Sequence, residues 1–502
     1  MTIGIDLGTT NSCMAAVIGG KPQVIPNAQG QMTTPSVIFY GQDGKTESGD
    51  DAKSRKVRDP EQTIWSVKRF MGKSFTSVKS EKDHLPYHFT CNEQDEICVS
   101  IRGRRLTVPE ISGQLLSKLR TDASSRLGRT ITDAVITVPA YFSDAQREAT
   151  REAGEKYGGL KVRRIISEPT AAALAYGFGR NENKTIAVYD LGGGTFDISI
   201  LRIEDGQFSV LSTSGDTMLG GDDIDRRVSD WILREARKQT GEDVASAYAD
   251  PATRTAAAYS MQAVRDAAER AKIELSSSDE ATISIPRYYN GTSVNLKLSR
   301  KNLENMISYV TDATFKCCDI AMKAAGCPRL DAVVLVGGST KSPCVRKAVA
   351  GYFGLQPDTS VNPDEAVALG AAIQASMLDG GIEGLKLLDV IPMDLGIQTL
   401  KSNGKRDIAV VMKANTKIAP GTGWQRVFSA TRNGVGRLDF QVMQGIERIG
   451  KFSVDIAKLP RGQVQIPVTF TVDENGILTV LAGKGIDAKA YTFTKYRAAQ
   501  SA

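Results

Sequence analysis

Two short segments of the sequence combine residue types that bind nucleotide phosphates and a magnesium ion. Each follows a β-rich run with an aspartate, a glycine turn and threonine: G-I-D-L-G-T-T from Gly4 and V-Y-D-L-G-G-G-T from Val188. Glycines allow backbone N–H groups to approach phosphate oxygens, and the carboxylates of Asp6 and Asp190 suit a hydrated Mg²⁺. One such segment alone is most often a simple turn, whereas two copies predict a nucleotide site.

The repetition also predicts how the chain is built around such a site. Two copies far apart in the sequence indicate a duplicated α/β unit whose halves face each other. A third glycine turn, V-G-G-S-T-K from Val336, follows another apolar run, and close backbone approach to a base or ribose is expected there. The segments match neither a Walker A loop nor the G-x-G-x-x-G of a Rossmann fold.

Hydrophobic periodicity indicates the elements that must position these turns. It predicts strands at residues 131–139, 185–189 and Ala332–Val336 and helices at 143–156, with Ser143 as N-cap, and 253–275. This alternation predicts an α/β domain over residues 1–381. Beyond it, β-rich runs separated by turn groups predict an all-β antiparallel sandwich over 391–502, at 407–412, 437–443, 465–472 and 477–481. The intervening residues 382–390 read as a short apolar linker.

Composition excludes several other classes of protein. The net charge of +6 and pI near 8.8 come from interspersed charges, so a nucleic-acid partner is not expected. The seven cysteines include no C-x-x-C pair, which favours free thiols in a reducing compartment. The chain begins without a signal-peptide pattern and has no apolar run long enough to span a membrane. A cytoplasmic protein is expected, or one of an organelle matrix if a transit peptide was removed.

Motifs along nearly the whole chain resemble the 70-kDa heat-shock chaperones, nearer the bacterial DnaK type. They are V-P-A-Y-F-S-D-A-Q-R from Val138, E-P-T-A-A-A-L-A-Y-G from Glu168, L-G-G-D-D-I-D from Leu219, N-P-D-E-A-V-A-L-G-A-A from Asn362, D-L-G-I-Q-T from Asp394 and D-E-N-G-I-L-T-V from Asp473, besides the two glycine turns. The resemblance implies an actin-like, two-lobed ATPase domain that binds ATP or ADP with Mg²⁺, with K⁺ as a further candidate ion.

The resemblance also implies a role for individual residues of the ATPase. Lys68 would reach the γ-phosphate, Glu168 would place the attacking water, and Thr195 would approach the γ-phosphate. Asp6 and Asp190 would be catalytic by holding Mg²⁺ through water. Phosphate contacts would come from Gly8, Thr9, Thr10, Asn11, Gly193, Gly194 and Thr195. Further nucleotide-binding residues would be Gly192, Gly220 and Gly221. Adenine contacts would come from Glu269, Lys272 and Ser276 on one helix face, opposite Gly338, Ser339 and Lys341. Gly337 and Asp364 would also bind the nucleotide.

The C-terminal part resembles the family's substrate domain, in which loops of the sandwich enclose an extended apolar client segment. The implied groove residues are Ile397, Leu400, Phe428, Thr431 and Leu438, each of which could instead be plain sandwich core. The apolar linker is expected to dock on the ATPase, although Lys386 interrupts its apolar run. Residues implied to relay the signal are Pro139, Arg147, Leu387, Leu388 and Asp389.

The predicted function is that of a weak, client-stimulated ATPase and chaperone. Its expected partners are unfolded polypeptides, a J-domain co-chaperone and a nucleotide-exchange factor, with neither nucleic acid nor membrane among them. Met218 stands where the family commonly has His, and Lys341 where it usually has Arg. The helical lid of family members is expected to be absent, which would make client exchange fast. The alternatives are a peptide-holding module with a degenerate ATPase and another actin-fold protein, such as a filament former or sugar kinase.

Overall fold

The structure is a computed structural model that describes residues 1–78, 85–180, 182–400, 405–419, 421–430, 432–458, 460, 462–483, 489–494 and 497–500. The elements up to residue 180 are β1 Thr2–Asp6, β2 Asn11–Ile18, β3 Lys21–Val24, β4 Thr33–Pro35, β5 Val37–Tyr40, β6 Thr46–Ser48, α1 Asp50–Lys53, β7 Thr63–Trp65, β8 His88–Cys91, β9 Ile97–Ile101, β10 Arg104–Thr107, α2 Val108–Leu127, β11 Asp133–Val138, α3 Asp144–Glu152, β12 Lys161–Ser167 and α4 Glu168–Gly177.

The elements between residues 182 and 378 are β13 Lys184–Leu191, β14 Phe196–Glu204, β15 Gln207–Asp216, α5 Gly221–Thr240, α6 Val244–Ala249, α7 Arg254–Glu274, β16 Glu280–Ile285, β17 Val294–Ser299, α8 Arg300–Ala324, β18 Ala332–Val336, α9 Pro343–Phe353 and α10 Ala366–Leu378. The remaining strands are β19 Lys386–Leu388, β20 Leu395–Leu400, β21 Arg406–Met412, β22 Gly423–Phe428, β23 Arg437–Gln444, β24 Glu447–Asp455, β25 Ile466–Val472, β26 Leu478–Ala482, β27 Lys489–Thr494 and β28 Arg497–Gln500.

Two sheets repeat the same pairing pattern. The first sheet has the order β12-β11-β1-β2-β3, and the second has the order β18-β13-β14-β15-β19. In the first, β1 pairs parallel with β11 and antiparallel with β2; in the second, β13 pairs parallel with β18 and antiparallel with β14. Each Asp-Gly turn therefore joins the equivalent pair of strands, as the duplicated α/β unit predicts.

Helices α4 and α10 pack tightly between these sheets. A Cβ atom added to Gly370 of α10 would lie 1.7 Å from the carbonyl oxygen of Ala171 in α4. A Cβ atom on Gly4 of β1 would lie 2.2 Å from the backbone nitrogen of Ala372 in α10. Real Cβ atoms do not approach so closely, so these glycines set the distance at which the halves meet.

Beyond residue 390 the described strands form antiparallel sheets in the orders β21-β20-β23-β24 and β22-β25-β26-β27-β28. They bury a common apolar core that includes Phe440, Phe452 and Tyr491, whose rings stack with centroid separations of 4.8 and 4.4 Å. The alternating burial along β26 follows the period of two that a half-buried strand requires. This is the packing expected of an antiparallel sandwich.

Several predicted boundaries shift in the structure. Ser143 caps α3 in a capping box with Gln146, as predicted, but the α-helix ends at Glu152 and a π-helical turn, Ala153–Tyr157, follows. Helix α7 ends at Glu274, so the prediction that Ser276 lies on its face is wrong. The serine run after Leu275 favours a turn, because serine side chains compete for backbone hydrogen bonds in helices.

Candidate functional site

The two Asp-Gly turns contact each other. A Cβ atom added to Gly193 in the second turn would lie 1.9 Å from Thr10 Oγ1 in the first. A Cβ atom on Gly194 would lie 2.8 Å from Thr9 Cγ2. A larger residue at either position would have to displace a threonine of the first turn, so the turns predicted to share one ligand are in close contact.

A buried ion pair stands beside these turns. Lys68 lies in the 3₁₀ turn Val67–Phe70, and its Nζ is 2.6 Å from Oε1 of Glu168, the first residue of α4. The two side chains are only 5% and 9% exposed. Removing two charges from water costs several kcal/mol per ion, which only close contact offsets. Such an arrangement is weak evidence for stability and suggests a functional role.

Three further carboxylates surround this pair. Burial, followed by the charge of Glu168, raises the pKa of Asp6 to about 7, although Asp6 accepts a hydrogen bond from Thr137 Oγ1 at 3.3 Å. Burial and Glu168 also raise the pKa of Asp190 well above its usual range and that of Asp197 to about 8. Burial and mutual repulsion thus disfavour the ionised form of these carboxyls, and a further cation would favour it.

Hydrated magnesium fits this set of oxygen atoms. Among the described residues, no group of three His, Cys, Asp or Glu side chains has a metal-binding arrangement. Mg²⁺ commonly keeps several of its waters and takes only one or two protein carboxylates. Asp6 and Asp190 are therefore suited to hold the ion through its water shell rather than by direct ligation.

The other predicted phosphate and base residues converge on the second turn. Ser339 Oγ donates to Gly192 O at 2.9 Å, and Gly337, with φ of 83°, would bring an added Cβ to 2.4 Å from Leu191 O. A Cβ on Gly220 would lie 2.6 Å from the Gly193 backbone. The turn that follows, Gly338–Lys341, ends at Lys341, and the Lys341 side chain forms an ion pair with Asp364.

The predicted base residues of α7 also have partners within the chain. Lys272 Nζ lies 2.7 Å from Asp225 Oδ2, and Glu269 lies 3.4 Å from Lys56 Nζ and 3.9 Å from Lys53 Nζ. Burial opposes ionisation of Glu269, but these lysines lower its pKa overall. Glu269 thus joins α7 to the segment after α1. Ser276, just past the helix, contacts Lys272 O through its Oγ at 3.4 Å.

Sequence reasoning missed two residues of this cluster. Asp197 accepts a hydrogen bond from Tyr141 N at 2.9 Å and lies among the acidic groups near Glu168. Arg69 Nη2 donates to Met218 O at 2.9 Å and lies 3.3 Å from Asp223 Oδ2. Their positions in the sequence are the signal that could have identified both residues, because Asp197 closely follows the second glycine turn and Arg69 is adjacent to Lys68.

The residues predicted to relay signals lie where the C-terminal sheets contact the elements that precede residue 382. Strand β19 extends the second sheet by pairing parallel with Gln207–Ser209 of β15, using Leu387 and Leu388. Asp389 Oδ2 accepts from Ser167 Oγ at 3.1 Å. Arg147 is buried and donates to Ala140 O at 3.2 Å and to Asn475 O at 3.5 Å. Pro139 precedes this cluster, and its carbonyl accepts from Phe142 N.

Single polar side chains complete the contact. Asp144 Oδ1 accepts from Leu478 N at 2.6 Å, and Asp144 N donates to Gln444 Oε1 at 2.9 Å. Asn475 Oδ1 accepts from Ile165 N at 3.0 Å, and Asn415 Oδ1 accepts from Thr213 N at 2.9 Å. Burial raises the pKa of Asp144 to about 7.

The predicted client residues occupy different environments in the sandwich. Leu400 is 58% exposed at the end of β20, whereas Ile397 in the same strand is 1% exposed in the core. Phe428 packs edge-on against Phe440 at 5.9 Å, and Leu438 is half-buried against the same core. Thr431 lies outside the described residues. Leu400 is thus the one of the four described residues that presents most apolar surface.

A family model for the Hsp70 protein matches residues 2–499. The chain belongs to the Hsp70 family. Members of this family are ATPases and ATP-dependent chaperones that bind nucleotide with Mg²⁺, and they typically bind unfolded clients and co-chaperones. Among the described residues, no helix is both long and apolar enough to cross a membrane.

Proposed function

We propose that this protein is a chaperone whose weak ATPase switches its affinity for extended apolar segments of unfolded polypeptides. Residues 1–381 bind and hydrolyse ATP, 382–390 link the two functions, and 391–502 hold the client. The observation that carries the proposal is the buried Lys68–Glu168 pair beside two contacting glycine turns. A chain without phosphate chemistry would gain little from burying these charges with three further carboxylates.

The proposed hydrolysis depends mainly on positioning and charge. Backbone N–H groups of Gly8–Asn11 and Gly192–Thr195 bind phosphate oxygens, and Thr195 orients the γ-phosphate. Lys68 offsets the charge that develops there, and Glu168 orients the attacking water. Asp6 and Asp190 hold the water shell of Mg²⁺, which neutralises phosphate charge when it is bound. The base and ribose lie against Lys272, Ser276 and the turn Gly337–Lys341, with Asp364 holding Lys341 in place.

The proposed coupling uses the contacts between the two parts of the chain. Leu387 and Leu388 bind the edge of β15, and Arg147 links the segment after Pro139 to Asn475 of the sandwich. Arg147 donates to Phe142 O, and the charges of Arg147 and Glu168 both act on Asp197, so a change at the γ-phosphate reaches the sandwich through few contacts. Coupling of this kind is reciprocal, so ATP loosens the client and the client speeds hydrolysis.

The deciding experiment is single-turnover ATP hydrolysis by the whole chain, with and without an unfolded peptide and a J-domain protein. We expect slow basal turnover that both partners accelerate. Peptide binding that ATP leaves unchanged, without hydrolysis, would instead identify a peptide-holding module. Phosphorylation of a sugar would identify a kinase of the same fold. A nucleotide-exchange factor is expected to speed ADP release in the same assay.

A further inference from the structure

The net positive charge of the chain is concentrated in its last part. Basic and acidic residues are interspersed throughout, but residues 391–502 contain 16 Lys and Arg against 8 Asp and Glu. This part therefore has a net charge of +8, whereas residues 1–390 have a net charge of −2. The excess belongs to the sandwich that is proposed to hold the client.

The end of the sandwich that contacts the ATPase elements does not carry this excess. Its contacts run through Asn415, Gln444 and Asn475. The segments 391–394, 413–418, 444–448 and 473–477 at this end contain three basic and four acidic residues: Lys413, Lys417, Arg448, Asp394, Glu447, Asp473 and Glu474. The charge of this end is thus nearly balanced.

The opposite end of the sandwich is the one at which Leu400 is exposed. Leu400, the last residue of β20, pairs with Arg406, the first residue of β21. Because β20 and β23 are antiparallel, the end of β20 and the start of β23 lie at the same end of their sheet. Arg437 at the start of β23 pairs with Asp455 at the end of β24. The loops that leave these strand ends therefore lie at the same end as Leu400.

Basic side chains outnumber acidic ones at the Leu400 end. The described residues there include six basic and three acidic ones: Lys405, Arg406, Arg432, Arg437, Lys458, Lys489, Asp407, Asp439 and Asp455. Arg437 has a partner, since its Nε lies 3.4 Å from Asp439 Oδ1. Arg406, Arg432 and Lys458 are exposed, and no carboxylate oxygen of the described residues forms an ion pair with any of the three.

These three cations lie within reach of a client that contacts Leu400. Paired residues of neighbouring strands are about 5 Å apart, so Arg406 is adjacent to Leu400. Strand β24 lies two strands from β20, at about 10 Å, and Lys458 follows it closely. Lys458 Cε would be 3.3 Å from a Cβ added to Gly436, so this lysine lies beside the loop that carries Arg432. An extended client advances about 3.3 Å per residue, so a flank of three residues spans about 10 Å.

We propose that the sandwich prefers extended apolar segments flanked by acidic residues, and that Arg406, Arg432 and Lys458 attract these flanks. The apolar part of the client supplies most of the affinity, and the charges add preference and speed association. The inference rests on the proposed function, because it specifies the clients of the same groove. Varying only the flanks of a peptide tests the preference separately from peptide binding itself.

The test uses three labelled peptides that share one apolar core of about five residues and carry three Glu, three Ser or three Lys on each side. Fluorescence anisotropy measures their affinity for the whole chain with ADP at about 0.02 M and about 0.5 M salt. At low salt the Glu-flanked peptide should bind about tenfold more tightly than the Ser-flanked one, and the Lys-flanked peptide should bind most weakly. High salt screens exposed charges, so the differences should shrink to about twofold.

A charge-reversal variant tests the location of the preference. Combining Arg406→Glu, Arg432→Glu and Lys458→Glu should weaken binding of the Glu-flanked peptide about tenfold or more and leave the Ser-flanked peptide within about twofold. The matched control combines Lys413→Glu, Lys417→Glu and Arg448→Glu, which changes the net charge equally at the other end of the sandwich. This control should lower affinity for the Glu-flanked peptide by less than about twofold at the same ionic strength.

Equal affinity for the three flanks at low salt would overturn the proposal, as would an equal loss in the two triple variants. A peptide of Glu and Ser without an apolar core should bind at least about tenfold more weakly than the Glu-flanked peptide. Equally tight binding of that peptide would show unspecific attraction of anions and would also overturn the proposal. If none of the core peptides bound, the Ser-flanked one included, the proposed function itself would fail, and the preference with it.

Discussion

Two regions of the molecule use buried charge in different ways. One is the cleft formed by the two Asp-Gly turns and the Lys68–Glu168 pair. The other is the docking contact, where β19 and the sandwich meet the ATPase elements. The cleft concentrates Asp6, Asp190, Asp197 and Glu168 near Lys68, and a bound cation would offset the repulsion among these carboxylates. At the docking contact, side-chain amides accept from backbone N–H groups, and the buried Asp144 carboxylate accepts from another. Under the proposed function, the region that binds a charged ligand keeps its charges unbalanced, whereas the contact that forms and breaks uses a few weak bonds.

The largest expected effect comes from removing the cation of the cleft. In Lys68→Ala, Glu168 loses its partner at 2.6 Å, and the γ-phosphate of bound ATP would lose the positive neighbour that we propose for it. The single-turnover rate should fall by at least about a hundredfold, while ATP binding stays measurable by equilibrium dialysis. Lys73→Ala is the control, since this lysine follows the same turn but bonds to Thr217 Oγ1. Unchanged turnover in Lys68→Ala would refute the catalytic assignment.

The docking contact should respond to pH through Asp144. Its pKa is about 7 when the sandwich is docked and near the ordinary 3.8 when Asp144 is exposed to water. Docking therefore takes up a proton. Docking is strongest at pH values below the pKa of exposed Asp144, and it weakens as the pH rises towards the pKa of docked Asp144. The docking equilibrium constant falls by up to about tenfold per pH unit over this range. Arg147, Glu148 and Asp473 also act on this carboxylate, but burial is the main cause.

The measurement is energy transfer between dyes on the ATPase and sandwich parts from pH 5.5 to 8, in the presence of ATP. Asp144→Asn cannot ionise, so its docking should lose this part of the pH dependence. Comparing the two proteins also cancels the titration of the nucleotide. A variant that kept the full dependence would show that another group carries it.

A smaller effect is expected from one amide of the docking contact. Asn475→Ala leaves Ile165 N without its acceptor at 3.0 Å, and docking should weaken about fivefold in the same energy-transfer assay. Asn475→Asp retains an acceptor oxygen and should lose less. The basal rate of hydrolysis should stay within about twofold of that of the unmodified chain. Single contacts distant from the phosphates change the activation barrier of hydrolysis little, because that barrier is set by charge. A collapse of basal hydrolysis would mean that the two regions are not separable.

The smallest effect concerns a residue outside both regions. Leu400→Ala should lower affinity for an apolar peptide about threefold, since an exposed leucine gains apolar contacts only when the client binds. Fluorescence anisotropy of a labelled peptide measures this change, and docking and basal hydrolysis should be unaffected. Ile397→Ala provides the contrast, because Ile397 is buried and its loss should lower the melting temperature instead. Equal peptide affinity in Leu400→Ala would remove this residue from the groove.

The sequence determined the elements whose signals are local. The repeated Asp-Gly turns, the Ser143 cap and the strand Ala332–Val336 all follow from glycine conformation, capping and apolar runs within a few residues. The resemblance to the family predicted roles for Lys68 and Glu168, although nothing local to either residue predicts that their side chains are in contact. Helix ends were less certain, as the early end of α7 before Ser276 illustrates.

Tertiary structure alone decided how charge is distributed and which surfaces meet. The raised pKa values of Asp6, Asp197 and Asp144 depend on burial and on neighbours far away in the chain, which no local pattern encodes. Likewise, the hydrogen bond from Ile165 N to Asn475 Oδ1 joins residues far apart in the chain. Sequence sets the chemical groups and local backbone, whereas their energies depend on distances that only folding of the whole chain fixes.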